Sequence, residues 1–108
     1  MESEFVIVMI TAPSLDSARM LSAALVEKRL AACVNSIGPI HSTYRWKGAV
    51  EESEEFLLLC KTRRALLEEK IIPLVRELHQ YEIPEIVALP ITAGLPDYLL
   101  WISESTAG

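Results

Sequence analysis

From Phe5 to Ala12 the chain reads FVIVMITA, apolar and rich in β-branched residues, until Pro13 and Ser14 stop the run. The pattern predicts a strand buried on both faces. Ser14 is placed to cap a helix, and Asp16 falls in a first turn where the helix dipole favours an acid. The helix is expected over Leu15–Leu30, with Ala18, Leu21, Ala24 and Leu25 on one face and Lys28 and Arg29 as its basic end. Residues 32–47 predict a long strand broken at Gly38-Pro39, where proline removes a ladder donor and glycine relaxes the backbone. Lys47-Gly48 marks a hairpin turn. The return strand, about residues 49–61, opens on Glu51, Glu52, Glu54 and Glu55 and finishes in the apolar run FLLLC. A strand wet at one end and dry at the other predicts an arm that projects from its own core and pairs with something.

A second helix is expected over Arg63–His79, since Leu67, Ile71, Leu74, Val75 and Leu78 share one face. Pro73 lies inside it and should kink or split it. The extended segment 81–94 carries Pro84 and Pro90, and a short helix starts at Pro96. Prolines 39, 84 and 90 fit edge strands guarded against uncontrolled pairing. The order is β-α-β-β-α-β plus a helix. This is an α+β, ferredoxin-like arrangement with a long hairpin between the second and third strands, forming a single domain over residues 1–108.

Composition adds an oligomer to this picture. Of 108 residues, 51% are hydrophobic, a large share for so small a domain to hide inside itself. Net charge is −5, and the basic cluster Lys61, Arg63 and Arg64 is too small to grip a phosphate backbone, so nucleic acid is not an expected partner. No run reaches the length of a membrane span, and the acids of the N-terminal segment are unlike a signal peptide. The two cysteines, Cys33 and Cys60, lie in apolar runs with no metal-type spacing and read as free thiols of a cytoplasmic protein.

The blocks EKRLAACVN (27–35), YRWKG (44–48), LCKT (59–62), LHQYEIPEIVALPI (78–91) and YLLWI (98–102) resemble the CutA, or divalent-cation-tolerance, family. They stand in the family's order and span almost the whole chain. The resemblance implies a ferredoxin-like fold, a tight homotrimer with strands paired between subunits, and kinship in architecture to PII-type signalling proteins. It also implies a role in tolerance of divalent cations, with Cu(II) or another divalent cation bound. The chain departs from the family's copper pattern of a cysteine before the first-strand threonine and two adjacent histidines near the end of the second helix. Here Ile10 precedes Thr11, Leu78 precedes His79, and Gln80 follows where the family carries proline.

His79, with Glu82 or Glu85 beside it, is the best metal candidate, because imidazole with carboxylate can hold copper or zinc. Two nearby donors fall short of a full set, so Glu52 or Glu54 of a neighbour's hairpin would complete it. The competing reading makes His79 a cap that orders the turn before Pro84. Lys61 and Thr62, between a buried strand and a helix, are either an anion site or a cap with Lys61 paired to an acid such as Glu85. A cleft of Lys61, Tyr81, Glu85 and Trp101 between subunits would suit a small ligand, as in a PII-like sensor of small molecules or anions. Tyr44 and Trp46 fall on one face of the arm and are expected to anchor the trimer interface. The acids at 51, 52, 54 and 55 are expected to be solvated or paired with Arg45 and Lys47 across the hairpin, and His41 to be structural. No serine or cysteine stands in a motif that activates a nucleophile, so an enzyme is not expected.

Overall fold

The computed structural model describes residues 3–108. Strand β1 (Phe5–Ala12) leads into helix α1 (Leu15–Glu27), then β2 (Cys33–Trp46) and β3 (Ala49–Arg63) form the hairpin. A helical stretch from Arg64 ends as α2 (Ile72–Leu78), before β4 (Ile86–Pro90) and α3 (Pro96–Ser105). The strands form one antiparallel sheet in the order β2-β3-β1-β4.

Helices α1 and α2 cover one face. Val6, Val8, Ile10, Leu58 and Cys60 of the sheet close against Ala18, Leu21 and Leu25 of α1 and against Ile71 and Val75 of the second helical segment. β1 therefore alternates, with Val6, Val8 and Ile10 buried and Phe5, Ile7 and Met9 half-exposed, instead of being buried on both faces as expected. α3 reaches the end of β3, where Arg63 Nε donates to Thr106 Oγ1 at 2.8 Å, while Ile7, Met9, Leu57 and Leu59 on the side away from α1 stay partly exposed. Burial pushes the Cys60 thiol up to about 12. Since the thiolate is the reactive form, Cys60 should stay silent in mildly alkaline buffer. Titration with a thiol-reactive disulfide should count at most one sulfhydryl per native chain, from half-buried Cys33, and two after denaturation.

Ser14 caps α1 as expected, accepting from the Ser17 amide at 3.1 Å. The helix stops earlier than predicted because Arg29 adopts φ 59°. The Leu30 amide then donates back to the Leu25 carbonyl and the Arg29 amide to the Val26 carbonyl, which satisfies two of the last carbonyls. Pro73 acts through the widened turns before it. Lacking an amide hydrogen, it cannot bond four residues back, and the chain passes through a π-type stretch over Leu67–Ile71 before α2 begins with Pro73 in its first turn. The start of this segment also corrects the expectation from the sequence. β3 runs on to Arg63, no side chain caps the helical stretch at Arg64, and Thr62 instead donates to the Leu30 carbonyl at 2.6 Å.

The arm is the distinctive element. β1 pairs with β3 only over Phe56–Arg63, so the outer part of the hairpin, to its tip at Lys47-Gly48, is a two-stranded ribbon. Both turn residues have positive φ, 50° and 82°, the requirement of the tight turn whose twist matches a hairpin. The register shifts between Ile37 and Ile40, where the Gly38-Pro39 break was expected. Gly38 is needed there because a Cβ would lie 2.5 Å from the Phe56 ring. The ribbon stretches the molecule to 44 × 27 × 24 Å, with a radius of gyration of 14.2 Å. A compact domain of this length would have about 13 Å. A ribbon of two strands is marginal alone in water.

Candidate functional site

The turn from α2 toward β4, residues 79–85, folds against the root of the arm. His79 is buried at 8% exposure, and both ring nitrogens are engaged. Nδ1 lies 3.1 Å from the Tyr81 amide nitrogen, which can only donate, so Nδ1 is the acceptor. The hydrogen is thereby placed on Nε2, which donates to the Thr11 carbonyl oxygen at 2.6 Å. This neutral imidazole ties the end of β1 to the turn after α2 and holds Tyr81 close, ring centroids 4.8 Å apart. The capping reading of His79 is the one this geometry matches, with neither nitrogen left to face a metal.

Tyr81 carries the arrangement onward. Its hydroxyl donates to Glu55 Oε2 at 2.8 Å. Burial, and after it the bond to Glu55, holds the phenol above its usual range, so Tyr81 remains a donor throughout the working pH range. Glu55 is itself buried at 6% exposure, not solvated as expected of the acids in the return strand, and no basic side chain among the described residues pairs with it. Tyr44, Trp46, Glu55, Tyr81, Glu82 and Glu85 line a cleft of about 630 Å³ between the arm and this turn. Lys47 reaches over the rim, its Nζ 3.8 Å from Glu82 and 5.5 Å from the centre of the Trp46 ring.

The expected site residues are thus partly gathered. Glu82, Glu85 and Tyr81 share the cleft, and Tyr44 and Trp46 form its aromatic wall while standing on the arm. Lys61 and Trp101 do not line it. Lys61 Nζ hydrogen-bonds Asn35 Oδ1 across the β2–β3 ladder rather than Glu85 or a helix start, and Trp101 lies against Tyr98 on α3 at 5.4 Å between centroids. His41 has a partner, Glu52 Oε1 at 2.9 Å, on the exposed face of the arm. Among the described residues, no group of three or more His, Cys, Asp or Glu side chains is arranged to hold a metal ion. The His79–Glu82 pair does not fit a copper ion in one chain: the imidazole is used up and Glu82 points to Lys47. Glu55 was missed as a site residue. Its one sequence signal is position, an acid immediately before the buried run at the base of the arm.

A four-stranded α+β domain with an overlong central hairpin and a carboxylate-lined cleft at its root defines a narrow class. The chain belongs to the CutA1 divalent ion tolerance protein family, whose model matches residues 6–105. It is 50% identical over 100 residues to the divalent-cation tolerance protein CutA of Thermus thermophilus, covering 93% of this chain and 96% of that protein. A solved structure of the Thermus thermophilus divalent cation tolerance protein superposes with a TM-score of 0.92 at 48% identity, over 95% of this chain and 99% of the other. The chloroplastic CutA protein of Arabidopsis thaliana is 42% identical over 94% of this chain, which spans 55% of that longer relative. The Thermus thermophilus proteins are named for divalent-cation tolerance, not for a reaction. No helix among the described residues is long and apolar enough to cross a membrane.

Proposed function

We propose that this chain serves divalent-cation tolerance as a cytoplasmic homotrimer that takes up Cu(II) or another divalent cation weakly, on carboxylate oxygens. The observation that carries this reading is that Glu55, Glu82 and Glu85 all line one open cleft in a chain of net charge −5, spaced too widely for one chain to hold an ion tightly. Carboxylates without thiolate or free imidazole make a hard, oxygen-donor surface, which attracts divalent ions without holding them tightly. The trimer supplies what one chain lacks. The unsupported ribbon, with Val50 exposed on it and Tyr44 exposed above the cleft, calls for a neighbour's strand, and a neighbour's Glu52 or Glu54 could add donors. Both cysteines are free, which suits a reducing compartment.

Titration calorimetry with Cu(II) and Zn(II), beside sedimentation equilibrium, tests the two halves. The expected results are a mass of three chains and weak binding that falls when Glu82→Gln or Glu85→Gln removes a donor. A monomer defeats the assembly, and absence of binding heat defeats the cation site.

A further inference from the structure

The arm has a weak point at its base. β1 supports the hairpin only as far as Ala12 opposite Phe56, and the β2–β3 register shifts between Ile37 and Ile40. Beyond these positions two strands leave the sheet by an irregular rung, where a ribbon is free to bend. Glu55 stands at that rung, opposite Ile40. The residue is buried at 6% exposure, and the Tyr81 hydroxyl donates to its Oε2 at 2.8 Å. Tyr81 is fixed in turn to the body. Its amide donates to His79 Nδ1 at 3.1 Å, and His79 Nε2 donates to the carbonyl of Thr11, whose partner across the sheet is Leu57. These contacts close a ring around the base of the arm, from Leu57 through Thr11, His79 and Tyr81 to Glu55.

We propose that the Tyr81–Glu55 hydrogen bond is a latch that sets the angle between arm and body, so that each subunit offers its neighbour an arm already in position. An apolar side chain at position 55 would tolerate sliding, whereas a buried carboxylate is stable only where its donor stands. The bond is charge-assisted and therefore stronger than the neutral bonds of the ribbon ladder. A preset arm lowers the ordering cost of association. The consequence for assembly rests on the homotrimer reading above; the fixing of the arm does not. A second contact between arm and turn, Lys47 with Glu82 at 3.8 Å, has both side chains about 70% exposed (71% and 70%) and adds little.

Amide hydrogen exchange on the full chain tests the latch, with sedimentation equilibrium over a dilution series beside it. Tyr81→Phe removes the hydroxyl and little else. Amides of the outer arm, residues 40–55, should exchange about tenfold faster in this variant, while those of Val8, Ile10 and Leu58 in the body keep their native rates. Dissociation of the trimer should move to a concentration about tenfold higher. Glu55→Gln keeps an acceptor for the phenol but loses the charge, so it should speed arm exchange only about threefold. The double variant should be no faster than Tyr81→Phe alone, since both changes act on one bond. Lys47→Met should leave arm exchange within about twofold of native. Unchanged arm exchange in Tyr81→Phe overturns the latch, as does equal acceleration of arm and body, because the hydroxyl would then serve the whole fold. Additive effects in the double variant overturn it as well. Trimers that dissociate at the native concentration despite a loosened arm refute its part in assembly. A native chain that sediments as a monomer removes the trimer reading, and the arm amides alone then decide the latch.

Discussion

His79→Ala should cost about 2–4 kcal/mol of stability, while affinity for Cu(II) and Zn(II) stays at the native level. The imidazole fills a buried position and satisfies two backbone groups, the Thr11 carbonyl and the Tyr81 amide. Alanine removes both bonds at once, and a carbonyl at the end of β1 loses its partner in a place with little access to water. Tyr81, held by the same contact, also loses the support that aims its hydroxyl at Glu55. Chemical denaturation reads the first half of the expectation and calorimetry the second. A stable variant with lost copper affinity would make His79 a ligand and refute its structural role.

Leu58→Ala is expected to do the greatest damage of any single truncation, about 3–5 kcal/mol, with a fall in Tm of more than about 10 °C. Leu58 is wholly buried on the central strand β3, paired across to Ile10 of β1 on one side and Ser36 of β2 on the other. Its side chain belongs to the cluster that both α1 and the segment after β3 close over. A void there is bounded by sheet and helix backbones, which relax little. Leu57→Ala, one residue earlier and only partly buried, should cost markedly less. Equal losses at the two positions would mean that the helices do not cover the face described. Thermal melts of the two variants side by side give the answer.

Much of this architecture was legible in the chain because the signals are local. A β-branched run, a serine placed to accept from an amide three residues on, apolar residues at helical spacing, and a Lys-Gly step between two extended segments act within a few residues of each other. They fix which segments are strands and helices, and the order of those segments leaves few topologies. Where the structure departs from expectation, the deciding partner is distant or the backbone does something no side-chain pattern announces. Arg29 ends α1 early through its left-handed backbone, and β3 outruns its expected end because Arg64 still bonds the Glu4 carbonyl beyond the register with β1.

The sequence by itself determined the elements, the projecting arm, the family, and the closeness of Tyr81, Glu82 and Glu85. Only the tertiary structure decided what those residues face. It set His79 between Thr11, 68 positions away, and the Tyr81 amide, which turned a candidate ligand into a clamp. It drew Glu55 out of a row of acids that look alike and buried it against a tyrosine 26 residues on. It also separated Lys61 and Trp101 from the cleft. The physical reason is the same in each case. Secondary structure arises from interactions along the chain, whereas burial, and with it the chemistry of a polar group, depends on which other element closes over it.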